Sequence, residues 1–158
     1  MKKLFALILT VAMLATMSVT AFAANTTGGE TELSFNVDPT YTITIPATVE
    51  LAKETAGDGT VTYENDYTIG ANAGVRLKKN EYIEVTVTSD FTMETDEGAV
   101  LAYSITAGGN AVANNGVVAE FDTDKAEQTA TIHIAANDPD YAGEYKDTVT
   151  FTVAVKTN

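Results

Sequence analysis

The sequence predicts an all-β fold of two packed antiparallel sheets. Three observations carry that expectation. Six segments alternate between apolar and polar residues, turn-forming residues punctuate the intervals between them, and no window holds a helical stripe. A period of two marks a half-buried strand, because successive side chains point to opposite faces of a sheet.

Taken in order, Leu33, Phe35 and Val37 alternate with Glu32, Ser34 and Asn36. Tyr41, Ile43 and Ile45 alternate with Thr42 and Thr44, and Ile83, Val85 and Val87 with Glu84, Thr86 and Thr88. Leu101, Tyr103 and Ile105 follow, then Ala130, Ile132 and Ile134, and last Val149, Phe151, Val153 and Val155 between threonines and Ala154. Thr suits the wet face because its branched Cβ favours an extended backbone. Weaker strands are expected at 49–53, 60–63, 67–70, 91–94 and 117–121. Asp38-Pro39, Gly57-Asp58-Gly59, Lys79-Asn80, Gly108-Gly109-Asn110, Asn114-Asn115-Gly116 and Asp138-Pro139 supply turns between them. Short strands at this spacing indicate one β-sandwich, with Greek-key, immunoglobulin-like topology preferred over a barrel.

The N-terminus is a separate object. Lys2 and Lys3 precede an apolar run from Leu4 to Ala15 broken only by Thr10, and Ala21-Phe22-Ala23 supplies small residues where a signal peptidase reads. This pattern predicts a secretory signal peptide over 1–23; the run is short for a membrane span. Residues 24–38 then form a flexible leader and first strand, and residues 39–158 the sandwich body. No Cys follows the signal to hold a lipid, and the last residues lack a hydrophobic tail or sortase-type motif. The expected mature protein is released, or held at a surface non-covalently, with no stable membrane span.

Composition excludes several chemistries. The 158 residues include no Cys, no Trp and one His, with a net charge of −13. Disulfides, thiolate nucleophiles and Cys-ligated metals are ruled out. A nucleic-acid partner is not expected, because a phosphate backbone calls for a basic face. Ser34, Ser89 and Ser104 are the serines beyond the signal, and none sits in a Gly-x-Ser-x-Gly elbow. His133 falls out of phase with Ile132 and Ile134, so it is expected to face solvent as an ordinary strand residue, with no partner visible in the sequence. Catalytic residues and cofactors are therefore expected to be absent.

The remaining candidates are ligand residues. Asn137, Asp138 and Asp140 share one loop and Asp122 and Asp124 another; clustered oxygens suit Ca²⁺, but Asx residues are also ordinary turn formers. Tyr63, Asn65, Asp66 and Tyr67 read as a loop that offers aromatic rings and polar groups to a glycan, or as two strand tyrosines with a solvated turn. Arg76, Lys78 and Lys79 form the one basic cluster of the mature chain, either a solvated turn or a contact for an acidic face of another copy.

The run Ala142-Gly143-Glu144-Tyr145-Lys146-Asp147-Thr148-Val149, leading into the last alternating strand, resembles the closing strand of spore-coat-U-like and fimbrial subunits and of bacterial secreted immunoglobulin-like surface domains. Here Gly143 is expected to allow a tight turn, and Tyr145 to pin the loop by its hydroxyl. Thr44-Ile45-Pro46-Ala47 with Val49-Glu50-Leu51 is similar to early strands of Gram-positive surface β-domains, although the Trp of their wall-binding signature is missing. The fimbrial resemblance implies strand donation between subunits, with Leu33, Phe35 and Val37 as the assembly strand. The alternative is an ordinary first strand paired in its own sheet. The expected function is a secreted, non-catalytic structural or adhesive surface or fibre subunit, with copies of itself or other surface proteins as partners. The alternative is a carbohydrate-binding sandwich.

Overall fold

The computed structural model describes residues 32–158. The predicted signal peptide, and the leader as far as Thr31, lie outside the described residues. The chain divides after Val37, and the two parts are taken separately. Residues 32–37 belong to no strand, and Leu33 and Phe35 are 91% and 90% exposed. The alternating segment 33–37 is therefore not part of a strand among the described residues.

The part from Asp38 onward contains ten strands and no helix: β1 (Ile43–Thr44), β2 (Ala52–Thr55), β3 (Val61–Ala71), β4 (Glu81–Thr88), β5 (Thr92–Glu94), β6 (Val100–Ala107), β7 (Asn110–Ala111), β8 (Gly116–Phe121), β9 (Gln128–Asn137) and β10 (Thr150–Thr157). Seven strands make one sheet in the order β1-β3-β9-β6-β5, with β2 also on β3 and β7 also on β6. The other sheet is β10-β4-β8. Every pairing is antiparallel. The chain passes from one sheet to the other at β3–β4, β4–β5, β7–β8, β8–β9 and β9–β10, as a sandwich requires.

The core lies between the sheets and follows the alternation. Ile83, Val85 and Val87 of β4 face Ile69 of β3, Ile105 of β6 and Ile132 of β9 in one cluster, all essentially without exposure. Their removal from water is the main favourable term for this cysteine-free domain. Local chemistry sets the turns. Gly108 and Gly109 both have positive φ, which gives the two-residue hairpin between β6 and β7. Asn80 and Asn115, in the left-handed region, sit at predicted turns, as Asn tolerates. A bulge where Val85–Thr86 meets β8 lets Val118 and Ala119 both turn inward.

Two further expectations are corrected. Tyr41–Ile45 contributes only the two residues of β1, extended by a bridge between Thr40 and Arg76. The segments 60–63 and 67–70 are one strand, β3, and Glu64-Asn65-Asp66 is not a loop. These three polar residues stay extended because β3 is paired along its length with β9, and Glu64 and Asp66 face solvent on its outer side.

Candidate functional site

The small sheet is covered unevenly. Its central strand, β4, is flanked by β8 and β10. β10 pairs with β4 alone among the described residues, so its other side is a free edge eight residues long. Register places Phe151, Val153 and Val155 opposite Val87, Val85 and Ile83. The β4 residues are fully buried, whereas Phe151 and Val153 are only half-buried and Val155 is 39% exposed. The apolar face therefore runs out to an uncovered flank. An edge of this length is a template for another strand, and proteins usually blunt it with charge or proline. Here the charge is confined to one end, where Lys156 pairs with Glu84 of β4 at 3.3 Å.

The segment before β10 fixes where that edge lies. Glu94 and Lys146 exchange two backbone hydrogen bonds, at 2.9 and 3.0 Å. The Tyr145 hydroxyl donates to the Tyr141 carbonyl at 2.9 Å and so pins the loop, as the resemblance implied. Gly143 has a different role from the predicted one. Its φ is not positive; instead, a Cβ there would meet Thr95 Cγ2 at 2.7 Å, so glycine is needed for close approach. Asp147 closes the loop: its carboxylate accepts from the Tyr103 hydroxyl at 2.6 Å, the Ser89 hydroxyl at 3.0 Å and the Thr148 amide at 2.6 Å. Ser89 Oγ accepts from the Phe91 amide at 2.8 Å, which helps hold Phe91 at φ 59°, a strained value for a bulky residue. The Phe91 ring packs edge-on against Tyr103. Burial, with the Asp147 carboxylate beside it, raises the Tyr103 hydroxyl above the usual tyrosine range. These residues tie the end of β4, the middle of β6 and the start of β10 together.

The other sequence candidates do not converge. Tyr63, Asn65 and Tyr67 share one face of β3 and Asp66 the other, so the four form no single patch. Tyr67 is 8% exposed, packs edge-on to Phe151 at 6.3 Å, and is pushed up to about 12 by burial. Its ring face is not offered to solvent, and its buried hydroxyl has no hydrogen-bond partner among the described residues. Asn65 Nδ2 donates to the Glu50 carbonyl. Asn137 ends β9 opposite Thr62, and Asp138 and Asp140 follow in the loop. Asp124 accepts from the Ala126 amide, and Asp122 is bonded through its backbone to Gln128; both positions serve turns. Among the described residues no group of three or more His, Asp or Glu is placed to hold a metal ion. In the basic cluster, Arg76 bridges to Thr40, and the Lys78 amide donates to the Glu81 carboxylate, which closes the turn into β4.

His133 faces outward, as expected, but it has partners the sequence did not show. Its Nδ1 is 2.8 Å from Asp66 Oδ1, and its Nε2 is 3.4 Å from Glu64 Oε2. The β3–β9 register sets Asp66 directly opposite His133, about 67 positions away in sequence, where no local motif reveals it.

No family model and no curated protein matches this sequence. Solved structures do. A chain from a chaperone–tip adhesin complex of CFA/I fimbriae aligns with TM-score 0.51 and 16% identity, over 74% of this chain and 42% of that one. The P pilus rod subunit PapA aligns with TM-score 0.48 and 12% identity, over 63% of this chain and 83% of that one. A chain from the CsuC–CsuE chaperone–tip adhesion subunit complex of Csu pili of Acinetobacter baumannii aligns with TM-score 0.44 and 18% identity. It is covered over 40% of its length. The likeness at TM-score 0.51 concerns the fold: the sandwich is of the immunoglobulin-like kind found in fimbrial systems.

Proposed function

We propose that this protein is a secreted, non-catalytic structural subunit of a surface fibre or layer, and that its copies join by strand addition at the free edge of β10. The observation that carries this reading is the uncovered apolar flank along Phe151, Val153 and Val155. The matching element is the segment 33–37, whose Leu33, Phe35 and Val37 have the spacing of three inward residues of one strand and are exposed. A strand laid on the β10 edge would pair its backbone with the free ladder and set those side chains over the flank; backbone bonds supply affinity and side chains supply register. The predicted signal peptide supports a location outside the cell. The fimbrial subunits and complexes that share the fold support the structural class. The glycan-binding reading has less support, since Tyr67 lies in the core.

The test compares purified residues 24–158 with residues 39–158 by light scattering and negative-stain microscopy. Rods or ladders from the longer form, with a folded monomer from the shorter, support the reading. A monomeric longer form and an unfolded shorter one would make the segment a core strand and remove its basis.

A further inference from the structure

The part of the chain from Asp38 onward has two ends of unlike charge. β4 and β10 pair for eight residues, from Glu81 opposite Thr157 to Thr88 opposite Thr150. At about 3.3 Å per residue, the two ends of this pair lie about 25 Å apart. Beyond Thr88 and Thr150, the segments 89–99 and 138–149 carry the exposed Asp90, Asp96, Glu97, Asp140, Glu144 and Asp147. Their one cation is Lys146, already paired with Glu144 at 2.8 Å. The 95–99 turn and residues 141–144 line one cleft of about 490 Å³ there. Beyond Glu81 and Thr157 lies the turn into β4, where Arg76, Lys78 and Lys79 are exposed and form no ion pair among the described residues. Lys156 stands near them at the end of β10, and Lys125 offsets part of the acid in the adjoining 122–127 loop. The ends are farther apart than the screening length of about 8 Å, so they do not neutralise each other within one copy.

Segment 33–37 joins the body at the cationic end. Thr40 exchanges two backbone hydrogen bonds with Arg76, at 2.9 and 2.8 Å, and β1 runs on from there along β3 toward the opposite end. Val37 precedes this anchor by three residues. A strand reaching a neighbouring copy from this point therefore enters with Val37 nearest its own body and Leu33 deepest.

The receiving edge has a defined phase. The Asn158 amide donates to the Asn80 carbonyl at 2.8 Å, which continues the β10–β4 register. Bonded pairs alternate along an antiparallel ladder, so Thr152, Ala154 and Lys156 also aim their backbone groups at β4, while Phe151, Val153 and Val155 aim theirs at the free edge. A parallel strand on that edge would bring the cationic end of one copy against the cationic end of the next. An antiparallel strand brings the cationic end against the acidic one. It also sets Glu32 opposite Lys156, whose side chain is 48% exposed, as a cross-strand pair of opposite charge. With a net charge of −13 the copies repel in most other orientations.

Building on the strand addition proposed above, we infer that copies join end to end, with the Lys78-Lys79 turn of one copy against the 95–99 turn and residues 141–144 of the next. Segment 33–37 then runs antiparallel to the neighbour's β10, with Leu33, Phe35 and Val37 opposite Val155, Val153 and Phe151. The contact is head to tail, so it leaves an unused end on each terminal copy and extends rather than closes.

The test uses residues 24–158, with light scattering to follow assembly and disulfide trapping to read the register. Lys78→Glu/Lys79→Glu makes both ends acidic, and Asp96→Lys/Glu97→Lys makes the 95–99 turn basic. Each variant alone should assemble at least about tenfold more slowly than the parent. An equimolar mixture should recover assembly, because each variant offers the end that the other lost. All four positions are exposed, and thermal unfolding confirms that both variants are folded. Assembly of either variant at the parent's rate, or no recovery in the mixture, would overturn the end-to-end contact. In the cysteine-free chain, Leu33→Cys with Val155→Cys should bridge between copies, and Leu33→Cys with Phe151→Cys should not, since Cα atoms more than about 7 Å apart cannot be bridged. The reverse pattern would overturn the antiparallel register. Phe35→Cys with Val153→Cys fits both orientations, so absence of that bridge would overturn strand addition itself rather than its direction.

Discussion

Two buried tyrosines on one core should respond with opposite signs to loss of a hydroxyl. Tyr103 and Tyr67 are each 8% exposed and each packs edge-on against a phenylalanine. Tyr103→Phe keeps the ring and its contact with Phe91 but removes the donor 2.6 Å from Asp147. A hydrogen bond to a charged group contributes about 1.5–3 kcal/mol. Asp147 keeps Ser89 and the Thr148 amide and is itself exposed, so the cost falls near the lower end, at about 1.5 kcal/mol. Tyr67→Phe removes a buried hydroxyl with no partner among the described residues, which relieves desolvation of about 1 kcal/mol. The two variants should therefore differ by about 2–3 kcal/mol, or about 10 °C in Tm for a domain of this size. Urea and thermal unfolding followed by circular dichroism read this difference. A Tyr103→Phe variant no more destabilised than Tyr67→Phe would mean that the bond to Asp147 contributes no net stability.

Three further outcomes follow from the same geometry. Burial pushes the Tyr67 hydroxyl up to about 12, from 10.0 in the unfolded chain, so the folded state holds its proton longer. The associated stability is complete below pH 10 and is lost as pH rises toward 12, by about 2–3 kcal/mol. Tyr67→Phe should flatten that fall in alkaline unfolding curves, and an unchanged curve would show that Tyr67 is not its source. Gly143→Ala should destabilise by about 1–3 kcal/mol through its clash with Thr95 Cγ2, and Thr95→Ser, which removes that methyl and keeps the hydroxyl bonded to the Ala99 amide, should recover most of the loss in the double variant. Tyr145→Phe should cost about 1 kcal/mol and loosen the loop before β10, read as faster amide exchange at Lys146.

The sandwich was legible because β4, β9 and β10 each have one wet face, which prints a period of two onto the sequence. Asn80, Asn115 and the Gly108-Gly109 pair were legible as turns because their left-handed backbone demands those residue types. Glu64-Asn65-Asp66 misled because charged residues beside an Asn look like a loop until a partner strand is known. Pairing with β9 decides it, and pairing is not local. The same limit hid the carboxylates of His133 and the convergence of Ser89, Tyr103 and Asp147. Gly143 was rightly singled out for the wrong reason: a close contact with Thr95 and a tight turn both ask for glycine, and only the fold tells them apart. At Leu33, Phe35 and Val37 the alternation was clear, yet alternation does not say which sheet a strand joins.

Strand addition is tested most directly by disulfide trapping, for which a chain without cysteine is a clean background. Phe35→Cys would be paired in turn with a cysteine at 151, 153 or 155 of β10, and the oxidised products separated without reductant. A bridge forms only when the Cα atoms come within about 7 Å. Strand addition between copies should give, for at least one pair, a ladder of dimers, trimers and longer products that collapses on reduction. Bridges confined to single chains, or none at any of the three positions, would contradict it.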